Sequence, residues 1–240
     1  TKLYFMDEVL ILKFDQEFMH MPWREFVVDF LVGKLRAVHL VCGHDYTFGY
    51  KGMGNVKRLQ ALCAELGVGC DVIEKVENAG GVISSTRIRK LLKEGDLETA
   101  NQLLGHQHFF SGTVVHGKKL GRLLGFPTAN MTLPDGMLEM AHGVYATEIV
   151  LSDRSRYMAV TNVGRRPTVN GGQDVTVESW LLDFKGDLYG RILQVEFCKY
   201  LRPEKKFDTV DELIAAIRHD GETARAYFEA RGQQSDQPLL

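Results

Sequence analysis

Paired cysteines are missing from this sequence. Its 240 residues hold four cysteines, Cys42, Cys63, Cys70 and Cys198, and no two stand in a CxxC pair. A disulfide framework or a structural zinc site is therefore not expected, and a reducing cytoplasm is the simple setting. No apolar run is long enough to span a bilayer, and no signal peptide is visible at the start. Excess charge is absent as well. Basic residues number 29 and acidic residues 31, for a formal net charge of -2. That balance gives no general drive toward nucleic acid or an anionic membrane surface. What remains is an ordinary globular composition, 45% hydrophobic and 25% charged, over a length suited to one or two domains.

Two textures follow one another along the chain. Up to about Gly105, short apolar runs alternate with helix-period segments. Val9 to Phe14 reads as a buried strand and Trp23 to Leu35 as a helix with Phe26, Val27, Phe30 and Leu31 on one face. Ala37 to Gly43 reads as a strand, Leu59, Leu62, Cys63 and Leu66 mark a helix closed by Gly67, and Asp71 to Val76 reads as a third strand. Strands alternating with helices imply a parallel sheet in a doubly wound α/β domain. Two short helices follow, Ile88 to Lys93 and Leu97 to Leu104.

Near His106 the texture changes. Phe109 to His116, Val144 to Leu151, Tyr157 to Val163, Val175 to Phe184 and Ile192 to Phe197 read as successive strands, separated by Gly and Pro turns. This pattern predicts an all-β barrel or sandwich over 107–240, after an α/β domain over 1–106. A helix closes the second domain: Thr209 and Glu212 fit a capping box, and Val210, Leu213, Ile214 and Ile217 form its apolar stripe.

The densest chemical signal is the run from Gly117 to Asn130. Its glycines, Gly117, Gly121 and Gly125, let a backbone pass close to phosphate, and Lys118, Lys119 and Arg122 offset negative charge. Thr128 and Asn130 add two neutral oxygens suited to a hard cation such as Mg²⁺. The spacing is not that of a P-loop. On local pattern alone, a glycine-rich turn with solvated lysines and a phosphate-binding loop both stand open.

Further along, Glu178 shares a strand face with Thr176, Trp180, Leu182 and Phe184. A carboxylate in that company is a candidate general base, although an edge carboxylate paired with a lysine is the commoner outcome. Leu201 to Phe207 offers Arg202, Lys205 and Phe207 to an anionic or aromatic ligand, or is simply a charged loop. In the first half, Gly43 to Gly49 follows a strand, the place where open α/β sheets bind ligands. Ser84-Ser85-Thr86-Arg87-Ile88-Arg89 is either a phosphate site at a helix start or an ordinary N-cap. His106 and His108 read as structural or surface histidines rather than metal ligands.

At this point the residues resemble a known family. Gly117 to Asn130 with its Pro127-Thr128-Ala129-Asn130 core is similar to the ATP and Mg²⁺ motif of riboflavin kinases. So are Asn162 to Thr168, Val177-Glu178 with Leu181 to Phe184, Gly186-Asp187-Leu188-Tyr189-Gly190, and Leu201 to Phe207, all in order. The first half, with Ile83-Ser84-Ser85-Thr86 leading to Arg89, resembles the adenylyltransferase half of the bacterial bifunctional enzyme that makes FMN and then FAD.

The resemblance implies a partial Rossmann-like nucleotidyltransferase domain followed by a kinase β-barrel with a C-terminal helix. It implies ATP and riboflavin or FMN as substrates, with Mg²⁺. Thr128 and Asn130 would hold the metal. Gly117, Lys118, Gly121, Arg122, Gly125 and Thr128 would hold ATP, Glu178 would be the base, and Arg202, Lys205 and Phe207 would face the flavin. Asp45, Phe48, Gly49, Ser84, Ser85, Thr86 and Arg89 would belong to the adenylyltransferase site. The family's HxGH-type motif occurs nowhere in this sequence, which opens at Thr1, so the second activity is expected of the parent protein and its site is expected to be incomplete here. A non-catalytic flavin-binding module is the alternative reading. The expected partners are small molecules, with neither nucleic acid nor membrane, and oligomeric state is left unassigned.

Overall fold

The computed structural model describes residues 6–117, 120–133, 136–167 and 173–235. The chain divides into two compact units, Thr1–Ile83 and Ser84–Leu240.

In the first unit, α1 (Gln16–His20) starts where the Asp15 carboxylate accepts from the Phe18 amide at 3.1 Å. The expected helix from Trp23 is present but changes pitch. α2 (Trp23–Glu25) runs into a π-helical stretch, Phe26–Lys34, and Leu35 N–H donates five residues back to Phe30 O at 2.9 Å. β1 (His39–Gly43) leads to a small hairpin, β2 (Thr47–Phe48) with β3 (Gly54–Asn55). Asn55 then caps α3 (Val56–Leu66) by accepting from Arg58 N–H at 3.0 Å, and Gly67 ends it at φ 68°. β4 (Gly69–Ile73) pairs parallel with β1, with Leu40 opposite Cys70 and Cys42 opposite Val72. A second hairpin joins β5 (Glu77–Asn78) and β6 (Gly81–Val82). Val27, Phe48, Leu59, Leu62 and Cys63 form the core of this unit.

Two expectations need correction here. Val9 to Phe14 is not a buried strand: it takes no regular structure, and Ile11 is 89% exposed. Among the described residues no strand pairs with it, and an apolar run without a ladder partner cannot satisfy its backbone as a strand. The third strand is also displaced, to Gly69–Ile73, because its register is set by pairing with β1 from Gly69 onward.

The second unit opens with α4 (Ser85–Glu94) and α5 (Leu97–Leu104), capped by Ser84 and Asp96. Leu92, Leu97 and Ala100 of these helices are buried in the same core as the strands, so the unit begins before the change of texture near His106. Six antiparallel strands follow: β7 (His108–Thr113), β8 (Thr128–Thr132), β9 (Gly143–Val150), β10 (Arg156–Pro167), β11 (Gln173–Leu181) and β12 (Ile192–Arg202). A short helix, α6 (Leu120–Leu123), precedes β8. The sheet order is β7-β12-β9-β10-β11-β8, and the curl is closed by a bridge in which Val115 N–H donates to Asn130 O at 2.8 Å. Inside lie Phe110, Met131, Tyr145, Ile149, Val163, Val177, Leu193, Val195 and Phe197.

Three buried hydroxyls cross the interior in a chain. Thr147 meets Thr161 at 2.6 Å and Thr161 meets Ser179 at 2.8 Å, so each polar group taken from water has a partner. The long helix α7 (Val210–Ser235) packs on the outer face of the sheet over Val144, Ala146, Val160 and Leu182, with its own Ala224 buried among them. Thr209 Oγ1 accepts from Glu212 N–H at 3.2 Å at its start, while the Glu212 carboxylate reaches Asp208 N–H at 3.4 Å rather than Thr209.

The alternation expected on β11 holds as far as Leu182. Val177, Ser179 and Leu181 face the interior, while Trp180 and Leu182 face α7. Phe184 does not share that outer face. β11 ends at Leu181, Asp183 takes φ 61°, and this left-handed residue breaks the period of two, so Phe184 packs back on the interior core against Tyr157.

Candidate active site

Strand register assembles the site. In the antiparallel ladders Arg202 stands opposite Val144, Val144 opposite Asn162, Asn162 opposite Glu178, and Glu178 opposite Asn130. Residues directly opposite one another share a face. One row across five strands therefore carries Arg202, Asn162, Glu178 and Asn130 side by side on the face turned to α7. The neighbouring row brings Val160, Trp180 and Thr128 together. β8 was not expected as a strand, because its short alternation of Ala129 and Met131 inward with Thr128 and Asn130 outward is masked by the glycine-rich run before it.

Two cavities flank this row. The first, of about 310 Å³, is floored by Asn162, Glu178 and Arg202 and walled by Phe126, Trp180, Phe207, Leu213 and Ile217. The second, of about 540 Å³, lies between Gly117, Arg122 and Pro127 on one side and the loop Phe184 to Tyr189 on the other. Thr128 and Asn130 line both. The first is mostly apolar and aromatic with carboxylates at its base. The second is bordered by the charged Arg122, Lys185 and Asp187 and by the backbone of Gly117 and Gly186.

Two glycines bring backbone against the shared pair. A Cβ at Gly117 would stand 2.5 Å from Asn130 Oδ1, and one at Gly121 would stand 2.5 Å from Phe126 O and 3.4 Å from Thr128 Oγ1. Any side chain at either position would push the loop off these oxygens. Asn130 Nδ2 donates to Thr128 O and Oγ1, both at 3.2 Å, which turns Asn130 Oδ1 toward the Gly117 loop. Phe126 N–H donates to Gly121 O at 2.7 Å and Gly125 N–H to Arg122 O at 3.3 Å, folding the turn that carries Arg122. Lys118 and Lys119 lie outside the described residues, as does Thr168.

The flavin-side candidates form a cluster with internal bonds. Arg202 is engaged in a bidentate pair with the buried Asp220 of α7, Nε to Oδ1 at 2.9 Å and Nη2 to Oδ2 at 2.7 Å. Its guanidinium also lies 5.7 Å from the centre of the Phe207 ring, and Lys205 Nζ lies 5.6 Å from the same ring. Glu204 accepts from Asn162 Nδ2 at 3.3 Å, which ties the loop before α7 to β10.

Asn162, Trp180 and Asp220 are site residues that sequence reasoning did not single out. Asn162 sits inside a quoted motif, but its place beside Glu178 is visible only once β10 and β11 are in register.

The adenylyltransferase candidates fall in both units. Asp45 is exposed in the turn after β1, held by His44 N–H donating to Ile73 O at 3.0 Å. Phe48 is a core residue packed between Trp23 and Phe26, and Gly49 follows it against Trp23. Ser84 is the N-cap of α4, accepting from Arg87 N–H at 3.3 Å, and Ser85, Thr86 and Arg89 lie on that helix.

Residues 104–228 match the family described as riboflavin kinase, and residues 2–87 match that described as FAD synthetase. A bifunctional riboflavin kinase/FMN adenylyltransferase from Haemophilus influenzae is 38% identical over 234 residues, spanning 95% of this chain and 75% of the relative. One from Escherichia coli K12 is 40% identical over 223 residues, 93% of this chain and 71% of the relative.

The chain belongs to the bifunctional riboflavin kinase/FMN adenylyltransferase family.

A crystal structure from Streptococcus pneumoniae, named a macrolide-efflux protein, shares the fold with a TM-score of 0.78 at 33% identity, over 89% of this chain and 68% of that one. Among the described residues of the present chain, no helix is long and apolar enough to cross a membrane. The family membership accounts for both textures of the sequence: the α/β half is the adenylyltransferase part and the curled six-stranded sheet with its closing helix is the kinase part.

Proposed function

We propose that the second unit transfers the γ-phosphate of ATP to the 5′-hydroxyl of riboflavin, giving FMN and ADP. The observation that carries this reading is the sharing of Thr128 and Asn130 by two cavities of different character. An aromatic-walled cavity suits a flavin, and one lined by glycine backbone with Arg122 and Lys185 suits a nucleotide. Reaction between the two substrates then belongs at the wall they have in common.

The donor set there fits Mg²⁺. Thr128 Oγ1 and Asn130 Oδ1 are neutral hard oxygens, and the close approach of Gly117 and Gly121 leaves room for backbone and phosphate around them. Thr128 and Asn130 would hold the ion, which would supply neutralisation of phosphate charge. The chain's own residues do the rest. Glu178 accepts the proton of the ribityl hydroxyl as its oxygen bonds to the γ-phosphorus and the bond to the β–γ bridging oxygen breaks. Gly117 and Arg122, at the second cavity, cradle the departing diphosphate, while Gly121 and Gly125 shape the turn that carries Arg122. Trp180, Phe126 and Phe207 enclose the isoalloxazine, with Lys205 at the rim and Arg202, anchored by Asp220, set against the Phe207 ring.

In this reading Asp45, Phe48 and Gly49 of the first unit, and Ser84, Ser85, Thr86 and Arg89 at the start of the second, belong to the family's second activity, adenylylation of the FMN so formed. The substrates are small molecules, and the cytoplasm is the compartment proposed. Incubation with riboflavin, ATP and Mg²⁺ followed by separation of the flavins tests the assignment. Conversion of riboflavin to FMN, or to FAD made from that FMN, identifies the unit as a kinase, whereas retained but unmodified riboflavin would favour a non-catalytic flavin-binding module.

A further inference from the structure

Helix α7 lines the first cavity through Leu213, Ile217 and Asp220, and Arg225 ties it to the turn that leads into the wall of the second. Five residues after Asp220, Arg225 forms a second bidentate pair, Nη1 to Asp183 Oδ2 at 2.7 Å and Nη2 to Asp183 Oδ1 at 2.9 Å. Asp183 is the left-handed residue that ends β11 and turns Phe184 inward. It does not line the nucleotide cavity itself, but its neighbours on both sides do: Leu181 before it, and Phe184, Lys185 and Gly186 after it.

Contacts on both sides of Asp183 hold the turn. Leu182 N–H donates to Met158 O at 2.8 Å. Phe184 meets Tyr157 edge-on at 5.0 Å. A Cβ at Gly186 would stand 2.9 Å from the Phe184 ring, so the loop folds tightly back over that side chain. The turn at Asp183 thus sets where the far wall of the cavity begins. α7 is in turn seated by Gly221, where a Cβ would come within 2.7 Å of Trp180, and by the buried Ala224.

We propose that Arg225 is a positioning residue for the nucleotide, acting through Asp183 to hold the loop 184–189 at the cavity. The inference rests on the reading of that cavity as the ATP site. The guanidinium also holds the Asp183 carboxyl below its ordinary range, so the pair is charged at neutral pH. The competing account is an inert surface ion pair. Asp183 and Arg225 side chains are 72% and 39% exposed, and pairs of that kind often contribute nothing measurable.

A double-mutant cycle on steady-state kinetics separates the two accounts. Arg225→Gln is expected to raise the KM for ATP by roughly three- to tenfold, with kcat and the riboflavin KM near wild type. Asp183→Asn keeps a residue that tolerates the left-handed backbone and is expected to do the same. The double variant should match either single one, and Arg225→Lys should recover part of the loss. Thermal melting of each variant confirms that the fold is intact.

An unchanged ATP KM in folded Arg225→Gln overturns the inference, as do effects that add in the double variant or fall equally on riboflavin. A wild-type chain with no measurable affinity for ATP would instead overturn the reading of the cavity, and this inference with it.

Discussion

Glu178 on β11 stands directly opposite Asn130 on β8, one strand spacing away and on the same face of the sheet. The candidate base and a candidate phosphate-side ligand are therefore held by a single ladder, and no loop closure is needed to set their separation. Asn162 occupies the same row on the other side of Glu178. The chemistry assigned to the site depends on this row staying in register, which the interior core of Val177, Ser179 and Leu181 enforces from the opposite face.

The contact between Gly117 and Asn130 gives a first prediction. Gly117→Ala places a methyl carbon 2.5 Å from Asn130 Oδ1, and either the loop or the amide must move. Catalytic efficiency for ATP is expected to fall by about 10²-fold, the scale of losing one well-aimed polar group at developing charge. The melting temperature should change little, because the strain falls on a loop outside the core. Steady-state kinetics beside thermal melting checks both halves of the expectation.

Removing the charge of Asp220 tests the anchor beneath the flavin cavity. Its carboxylate is buried and bidentate to Arg202, so Asp220→Asn leaves the guanidinium half satisfied. A loss of about 2–4 kcal/mol in unfolding free energy is expected from breaking a largely buried pair. The riboflavin KM should rise while the ATP KM does not, since Arg202 and Phe207 border the first cavity alone. Urea denaturation and substrate titrations measure the two effects.

His108 gives the pH dependence. Burial first, and the neighbouring His106 second, hold its imidazole below its ordinary pKa near 6.5. The folded state therefore favours the neutral ring, and the unfolded state binds more protons below that value. Its share of stability is fully present above about pH 6.5 and is lost as pH falls toward the folded pKa. Urea midpoints measured at pH 7.5 and pH 5.0 should drop more for the wild type than for His108→Gln, which has no proton to gain. Equal drops would remove His108 from the account.

Much of this arrangement could be read from the residues. The β–helix alternation of the first half, Gly67 as a helix stop, the buried face of Leu193, Val195 and Phe197 and the capping of α7 by Thr209 follow from local spacing, since each depends on neighbours within a few positions. Other features depended on partners far along the chain. Val9 to Phe14 has strand composition but finds no ladder among the described residues, and composition cannot supply one. Phe184 left its expected face because one left-handed residue, Asp183, interrupts the alternation. Arg202 looked free to meet a ligand, and its partner Asp220 lies 18 positions further on, on a helix whose docking only the packing reveals. Within the candidate site, Thr128, Asn130 and Glu178 could be named as candidates from the sequence. Their convergence could not, because it arises from register across β8, β10 and β11.

Replacement of Glu178 by Gln is the most direct test of the central claim. The amide keeps the size and the hydrogen-bonding reach of the side chain but cannot take a proton from the ribityl hydroxyl. With saturating ATP and Mg²⁺, the rate of FMN formation is expected to fall about 10³-fold, within the range typical of a general base, while riboflavin and ATP still bind. FMN formation within a few-fold of wild type would contradict the account.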